Sequence, residues 1–263
     1  MKAIILAAGR GSRLKEMTEK APKCQVALGG IPMIERQIAT FRQSGITDIT
    51  LVTGYRGEML RYDGVKNAIN GEWETTNMVV TLFSAAQDFG DDLIVSYGDI
   101  VFEKRVLDAL IAAPGEISVI VDRQWRPYWE ARFEDPLSDA ESLRLDEADC
   151  IVDIGQQVAA IDDIQGQYIG LMRFRGPGVE TLRNVGNSLG KTQREWMNNR
   201  PLKQAYMTDL LMEMILCDHA VDAVPVDGGW LEIDTQNDYA LAESLFSSRR
   251  SFPWFSPEGV AIP

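Results

Sequence analysis

The stretch Leu6-Ala7-Ala8-Gly9-Arg10-Gly11-Ser12-Arg13-Leu14 continues from residues 2–6, which form an apolar run after Lys2. The apolar run is typical of a short buried strand, and the two glycines after it predict a tight turn at its carboxyl end. Glycine lets the backbone come close to a bound anion, so successive N–H groups of such a turn can donate to phosphate oxygens. The segment therefore predicts an α/β protein with a phosphate-binding turn after its first strand.

Two well-known glycine motifs do not match this turn. The P-loop pattern G-x-x-x-x-G-K-[ST] is absent from the chain. The dinucleotide pattern G-x-G-x-x-G fails because Leu14 stands where the third glycine belongs. These mismatches disfavour a Rossmann oxidoreductase. A tight turn without a ligand is a further interpretation, but it gives no reason for Arg13 or for Lys23 further along.

Short runs rich in Ile and Val alternate with longer segments of helical period over most of the chain. This alternation is the pattern of an α/β protein with a mostly parallel sheet. The expected fold class is therefore α/β, with a Rossmann-like mixed, mostly parallel sheet flanked by helices, in one domain over residues 1–246. Strands are predicted at 2–6, 48–53, 92–97, 117–121, 168–174 and 221–226. Helices are predicted at 33–44, from 75–77 to 87, and at 104–113, 207–217 and 237–246.

The chain has 263 residues, of which 45% are hydrophobic, and a formal net charge of −13. A chain of this length and composition can bury a sizeable core. Its acidity is the opposite of the basic footprint of proteins that coat nucleic acid or an anionic membrane. No run approaches the ~20 apolar residues of a membrane span, and the N-terminal apolar run is too short for a signal peptide. We expect a cytoplasmic protein with neither nucleic acid nor a membrane as a partner.

Histidine and cysteine are scarce in this sequence. His219 is the one histidine, and Cys24, Cys150 and Cys217 lie far apart. A single imidazole excludes metal sites built on several histidines, and cysteines without a C-x-x-C pair indicate neither a disulfide framework nor a zinc site. A polyanionic ligand must therefore be bound by a few local cations or by a metal held on oxygen.

Pro22-Lys23 follows the glycine-rich turn, with Lys23 nine residues after Leu14. Together the two segments resemble the signature L-A-A-G-x-G-[ST]-R-[ML] followed by P-K, found in nucleotidyltransferases that join a nucleoside triphosphate to a phosphorylated small molecule. The resemblance implies that Arg13 and Lys23 are catalytic. Displacing pyrophosphate places charge on phosphate oxygens in the transition state, so positioned cations are what the reaction needs. Arg13 can fork onto the leaving phosphates, and Lys23 can bridge the α-phosphate and the acceptor's phosphate.

Three acidic residues fall in two segments that suit a metal ion. Asp99 follows the predicted strand 92–97, at the edge of the sheet where open α/β folds bind ligands; a turn or helix-cap aspartate is the alternative. Glu232 and Asp234 alternate along an extended segment and so project to the same side. Because Mg²⁺ prefers carboxylate and phosphate oxygens, we expect Asp99 and Asp234 to bind it, with Glu232 bound directly or through water. The resembled family holds its metal at the same two places, and a phosphate acceptor needs no general base.

Within that superfamily the chain looks most like the small cytidylyltransferases that act on phosphocholine, aminoethylphosphonate and similar acceptors. The resemblance covers residues 1–246 and implies CTP as the donor. Gly54-Tyr55, Asn77 and Thr81 match positions that line the cytosine and ribose site of those enzymes, with a turn and a helix cap as the alternatives. The nucleotide-binding residues implied in this way are Leu6, Ala7, Ala8, Gly9, Gly11, Ser12, Tyr55, Asn77, Thr81 and Gly98.

The polar, acidic segment 122–167 is expected to be an elaboration of the sheet on the acceptor side. It contains Trp125-Arg126-Pro127-Tyr128-Trp129, where the phosphocholine enzymes carry an aromatic cage residue. Aromatic faces bind quaternary ammonium, whereas clustered arginines favour an anion. A phosphonate, phosphocholine and a phosphorylated amino acid or amide therefore stay open as acceptors, and a packed aromatic hairpin is the alternative for the segment. The candidate acceptor-binding residues are Arg123, Trp125, Arg126, Trp129 and Arg132.

Two other functions fit part of the pattern. A sugar-1-phosphate uridylyl- or thymidylyltransferase shares the signature, but such enzymes usually carry longer sugar-recognition insertions. A non-catalytic nucleotide-sensing subunit has no reason to keep both catalytic cations together with the metal ligands. The tail 247–263, which contains Phe-Pro-Trp-Phe, is expected to be extended and to pack on the surface or against a partner, so a homodimer is one candidate assembly.

Overall fold

The computed structural model describes residues 1–189, 201–248 and 252–263. The strands of these ranges are β1 (Lys2–Ala7), β2 (Ala27–Leu28), β3 (Ile31–Pro32), β4 (Ile49–Thr53), β5 (Val65–Ile69), β6 (Asp92–Tyr97), β7 (Ile100–Phe102), β8 (Ile117–Asp122), β9 (Glu141–Leu145), β10 (Ile151–Gln157), β11 (Gln167–Arg175), β12 (Asp222–Val226) and β13 (Trp230–Glu232). The helices are α1 (Met33–Gln43), α2 (Met78–Phe83), α3 (Lys104–Ala112), α4 (Trp125–Arg132), α5 (Pro177–Leu189), α6 (Met207–Leu216) and α7 (Gln236–Ser248). No helix in the described ranges is both long enough and apolar enough to cross a membrane.

The central sheet of the described chain has seven strands in the order β12-β8-β11-β6-β1-β4-β5. β1 runs parallel to both β4 and β6, β5 runs parallel to β4, and β12 runs parallel to β8. β11 is antiparallel to its neighbours β6 and β8. The sheet is thus mixed but mostly parallel, and helices pack against it, which confirms the predicted fold class.

Side chains of β1 point alternately into two halves of the core. Ala3 and Ile5 pack in one apolar cluster with α1, while Ile4 and Leu6 pack in another with α2. Successive side chains of a strand face opposite sides of the sheet, and helices on both sides bury all those from Ala3 to Ala7. The continuous apolar run at the N-terminus is therefore a strand buried on both faces, and the glycine-rich segment leaves the sheet at its carboxyl end.

The helix predicted from 75–77 to 87 is shorter in the structure. Asn77 begins it as predicted, because its side-chain oxygen accepts a hydrogen bond of 2.9 Å from the backbone N–H of Met78. The chain leaves helical geometry at Ala85, where φ is −108° and ψ is 18°. A short 3-10 turn over Ala86–Asp88 then leads to the buried Phe89.

The segment 122–167 folds into α4 and the antiparallel hairpin of β9 and β10. Pro127 is the third residue of α4 and does not break it, since the first-turn N–H groups of a helix have no intrahelical acceptor. Trp125 and Tyr128 point inward and are 4% and 2% exposed. α4 thus presents its aromatic face to the core of the protein.

Of the tail 247–263, the structure describes Ser247 and Ser248, which end α7 and are not extended as expected, and residues 252–263, which pack on their own chain. Trp254 and Phe255 are 8% and 1% exposed, and the ring of Trp254 stacks on Tyr128 with centroids 5.0 Å apart. The backbone N–H of Gly229 donates to the carbonyl of Trp254 over 2.6 Å. The buried aromatic side chains of this tail segment therefore contribute to the core of their own molecule.

Candidate active site

A cavity with about 600 Å³ of space between atoms opens at the carboxyl ends of β1 and β6. This is the edge at which open α/β sheets bind their ligands. Most of the nucleotide-binding residues predicted from the sequence line this cavity, together with Lys23 and Asp99; we call it the nucleotide cavity. The predicted residues in its wall are Leu6, Ala7, Ala8, Gly9, Asn77, Thr81 and Gly98.

Gly11 and Gly98 allow close approaches that shape the nucleotide cavity. Gly11 has a φ of 72°, and a Cβ there would lie 2.7 Å from side-chain carbons of Lys23. A Cβ on Gly98 would lie 2.6 Å from the carbonyl oxygen of Leu6. Gly11 and Ser12, both predicted to bind the nucleotide, lie outside the wall; Gly11 makes room for Lys23, and Ser12 begins a 3-10 turn.

Lys23 lies at the centre of a cluster of charged groups. Its Nζ is 2.5 Å from Oδ2 of Asp99 and 2.6 Å from Oδ1 of Asp234. Arg13 forms an ion pair with the other oxygen of Asp234. Burial acts to lower the pKa of Lys23, but the charges of Asp99, Asp234 and Glu232 outweigh it and hold the pKa above its ordinary value. Residues far apart in sequence, predicted to share one site, are therefore brought together.

Glu232 lies beside this cluster and is held by Arg132. The Oε2 of Glu232 accepts from Nη2 of Arg132 over 2.8 Å. The pKa of Glu232 is raised to about 7, chiefly by burial; the negative charges of Asp99 and Asp234 add to the rise, and the positive charges of Arg132 and Lys23 act against it. The three carboxylates expected at the metal thus lie close enough to repel one another.

The donor set fits a metal ion that is shared with a substrate. Oδ1 of Asp99 is buried and has no hydrogen-bond partner within the described ranges. Such an oxygen is costly to bury unless a donor or a cation binds it. No three His, Cys, Asp or Glu side chains of the described residues form a metal cage by themselves. One or two carboxylates that share Mg²⁺ with substrate phosphates match this arrangement.

A second cavity, with about 910 Å³ of space between atoms, lies on the other side of the charged cluster. Met78 and Tyr97 line both cavities, so the two adjoin. Aromatic and acidic side chains dominate the wall of the second cavity. Its lining residues are Arg13, Met78, Tyr97, Trp129, Asp139, Glu141, Gln167, Tyr168, Tyr206, Thr208, Glu232 and Asp234.

The structure corrects the placement of most candidate acceptor residues. Trp129 lines the second cavity, and its indole N–H donates to Asp139 over 3.1 Å. The other four lie elsewhere: Arg123 precedes α4 and Arg126 is on its exposed side, whereas Trp125 and Arg132 share the buried face of α4 with Trp129 but pack outside the cavity wall. Trp125 is in the core, Arg123 pairs with Asp149 at 2.5 Å, Arg126 pairs with Glu130 at 2.8 Å on an exposed surface, and Arg132 is buried behind the cavity wall.

Trp73 is a wall residue of the nucleotide cavity that sequence reasoning missed. Tyr55, predicted to bind the nucleotide, lies behind it, with ring centroids 5.3 Å apart. The backbone N–H of Tyr55 donates to the carbonyl of Ala8 over 3.0 Å, which ties this turn to the glycine-rich segment. No local pattern marked Trp73, whereas Tyr97 could have been found because it immediately precedes Gly98-Asp99.

Cations and carboxylates concentrated between two adjoining cavities suit the transfer of a nucleotidyl group between two anionic substrates. Together with the fold, this arrangement defines the chain as a nucleotidyltransferase. The model of the MobA-like NTP transferase domain matches residues 3–152. The chain belongs to this family, and the resemblance to small CTP-dependent nucleotidyltransferases is confirmed.

Comparison with individual proteins gives the same family. The chain is 37% identical over 251 residues to the CTP:phosphoglutamine cytidylyltransferase of Campylobacter jejuni, a match that covers 90% of this chain and 97% of that protein. It is 35% identical over 107 residues to a choline-phosphate cytidylyltransferase of Streptococcus pneumoniae, which covers 39% of this chain and 47% of that protein. The solved structure of the CTP:phosphocholine cytidylyltransferase from S. pneumoniae matches 93% of this chain and 98% of its own at 21% identity, with a TM-score of 0.68, and shows the same fold.

Proposed function

We propose that the protein is an Mg²⁺-dependent cytidylyltransferase that transfers CMP from CTP to a small phosphorylated acceptor and releases pyrophosphate. The observation that carries this proposal is the position of one ion cluster between two cavities. Lys23 and Asp99 line the nucleotide cavity, and Asp234, which pairs with Lys23, lines the second cavity. Similarity to the two cytidylyltransferases named above supports CTP as the donor.

The chain's own cations suit the charge that develops in this reaction. Lys23 stays protonated at neutral pH because the neighbouring carboxylates outweigh the burial that would lower its pKa, so it offers a compact positive charge to the α-phosphate and to the acceptor's phosphate. The backbone N–H groups of the turn after β1 would donate to the phosphate oxygens of the nucleotide. Arg13 is exposed enough to turn from Asp234 to the leaving pyrophosphate, where its guanidinium can donate hydrogen bonds to two oxygens at once.

The metal site would be built from Asp99 and Asp234, with Glu232 beside them. Magnesium, when bound, neutralises charge on the phosphate oxygens. The unpartnered Oδ1 of Asp99 is the oxygen most ready to bind it. Lys23 holds the other oxygen of Asp99, which keeps that carboxylate in a fixed orientation.

The second cavity supports an acceptor that carries an ammonium group as well as a phosphate. Four carboxylates and one guanidinium line it, and aromatic rings form much of the wall. Arg13 lies at the end of the second cavity that is near the ion cluster. Asp139 and Glu141 line the part of its wall beside the hairpin of β9 and β10. Carboxylates and aromatic faces attract an ammonium ion. We therefore propose a zwitterionic acceptor and take a phosphorylated glutamine first, since a relative covered over almost its whole length is named for that substrate.

The decisive test is a matrix of pyrophosphate release. CTP, UTP, ATP, GTP and dTTP are each combined with phosphoglutamine, phosphocholine, 2-aminoethylphosphonate and glucose-1-phosphate. We expect release with CTP and an ammonium-bearing acceptor, its loss on adding EDTA, and its return with excess MgCl₂. Turnover with UTP or dTTP and glucose-1-phosphate but not with CTP would overturn the proposal in favour of a sugar-1-phosphate nucleotidyltransferase.

A calorimetric titration separates an enzyme from a nucleotide sensor. If CTP binds but no acceptor leads to pyrophosphate release, the sensing function replaces the proposed one. Asp99→Ala serves as the control in both assays, since it removes the proposed ligand oxygens without touching the wall formed by residues 73–81. We expect Asp99→Ala to abolish turnover and to leave the far-UV circular dichroism spectrum unchanged.

A further inference from the structure

Arg132 is one of the most deeply buried charged groups near the site, and it lies behind the wall of the second cavity rather than in it. Its side chain is 1% exposed. Rings of Tyr128, Trp129 and Phe133 surround its guanidinium at 4.9 to 5.2 Å from the ring centroids. A charge taken so far out of water is stable only with partners in good geometry. Its partners are therefore the key to what it does.

Arg132 bonds to two carboxylates on a different part of the chain. Its Nη2 donates to Oε2 of Glu232 over 2.8 Å, and its Nε donates to Oδ1 of Asp238 over 2.9 Å. The planar guanidinium fixes the relative orientation of both acceptors, which a lysine ammonium on a flexible stem does not do. α4 is thus bound to the end of β13 through Glu232 and to the first turn of α7 through Asp238.

Asp238 passes this constraint on to Asp234. Its Oδ2 accepts from the backbone N–H of Asp234 over 3.1 Å and from that of Thr235 over 2.8 Å. Asp234 in turn pairs with Lys23 and Arg13. A continuous chain of hydrogen bonds therefore runs from α4, which carries Trp129 in the wall of the second cavity, to the ion cluster.

We propose that Arg132 is a positioning residue that sets the orientation of Glu232 and, through Asp238, of Asp234. This role rests on the proposed function and replaces the direct contact with the acceptor expected from the sequence. Because Arg132 reaches neither cavity, its loss affects alignment of the reacting groups rather than binding of CTP. Removing groups that orient metal-binding side chains typically costs about 10- to 100-fold in activity.

The test compares Arg132→Lys with Arg173→Lys. Arg173 is likewise buried and binds Asp92 with two hydrogen bonds of 2.8 and 2.9 Å, but at the amino end of β6, opposite the site. For Arg132→Lys we expect kcat to fall about 10- to 100-fold, with the KM for CTP changed less than about twofold. For Arg173→Lys we expect the melting temperature to fall about as much as it does in Arg132→Lys, but kcat to stay unchanged. Asp238→Asn is the second variant if Arg132→Lys does not fold, with the same expected split.

Crystal structures of the variants give a measurement that does not depend on turnover. In Arg132→Lys we expect the carboxylate of Asp234 to move out of hydrogen-bond distance of Lys23, and in Arg173→Lys to stay. An unchanged Asp234 together with an unchanged kcat overturns the proposal, as does an equal loss of kcat in Arg173→Lys. If the wild-type protein turns over no nucleotide, the proposed function fails, and the position of Asp234 in these structures still decides the role of Arg132.

Discussion

Lys23 is the residue on which the electrostatics of the site depend. It lies between Asp99 and Asp234, within 2.6 Å of an oxygen of each. For Lys23→Ala we expect kcat to fall by about 10²- to 10³-fold, the typical cost of removing one positioned donor to transition-state charge. Pyrophosphate release measures the rate, and circular dichroism checks the fold. Lys104→Ala, which removes a lysine from an exposed pair with Asp108, is the control and should keep the wild-type rate. A near-wild-type rate in Lys23→Ala would contradict the mechanism.

Substitution of Gly11 tests whether this glycine is needed only for its positive φ or also for the space that it leaves for the side chain of Lys23. Gly11→Ala strains the backbone at a φ of 72° and pushes a Cβ into Lys23. Gly30→Ala strains it at a φ of 79° with nothing within 4 Å of the new Cβ. Both should lose about 1–2 kcal/mol of stability, measured by urea unfolding. Only Gly11→Ala should lose turnover, and equal rates in the two variants would refute the role given to the space around Lys23.

Single residues differ in how well the sequence predicts them. That Arg13, Lys23 and Asp99 lie in one cluster could be predicted, because the first two match the two-part signature of the resembled family and Asp99 follows a predicted strand. Trp73 could not, because it enters the wall from a turn after the edge strand β5, and its place depends on contacts with Tyr55. Residues whose role lies in shape rather than in charge leave little trace in a local motif.

The sequence of α4 contains a helical pattern, although no helix was predicted there. Its buried residues Trp125, Tyr128, Trp129 and Arg132 have the spacing i, i+3, i+4, i+7 of one helical face. Proline disfavours the interior of a helix, but Pro127 lies in the first turn of α4, where it is tolerated. Read as a helix, the segment predicts a packed aromatic face with Arg126 on the outside, as the structure has it. The partners of Arg132 could not be read in this way, since they are about a hundred residues away.

The hairpin of β9 and β10 brings Glu141 to the second cavity, and this element tests the class of acceptor. Gln167 holds the backbone of Glu141 at the start of β9 by donating to its carbonyl over 2.6 Å. For Glu141→Gln we expect the KM of an ammonium-bearing acceptor to rise about tenfold, on the order of 1.4 kcal/mol, and the KM of CTP to stay unchanged. Steady-state kinetics with each substrate varied in turn measure both. Glu147→Gln, an exposed position lining neither cavity, is the control; an equal effect there would exclude a specific role.

At the scale of the whole molecule, the order of strands explains why one site takes groups from such distant segments. β1 lies between β6 and β4, so the turns after β1 and β6 meet at one edge of the sheet. β13 pairs with β7, just after Asp99, and so brings Glu232 to the same edge. Runs rich in Ile and Val predicted six of the seven strands of the central sheet and missed the edge strand β5. The pairing of β13 with β7 follows from tertiary packing that no local pattern encodes.

Residues 252–263 of the tail pack against α4 and against the turn that precedes β13. Trp254 is 8% exposed, stacks on Tyr128 and accepts a hydrogen bond from Gly229 just before β13. For Trp254→Ala we expect a loss of about 3–5 kcal/mol, as for other buried aromatic side chains, measured by urea unfolding. Ile262→Ala is the control, because that side chain is 65% exposed and should change stability by less than about 0.5 kcal/mol. Since Trp254 faces its own core, light scattering should give both variants the wild-type mass. A lower mass for Trp254→Ala with unchanged stability would mean that this part of the tail belongs to an interface between copies instead.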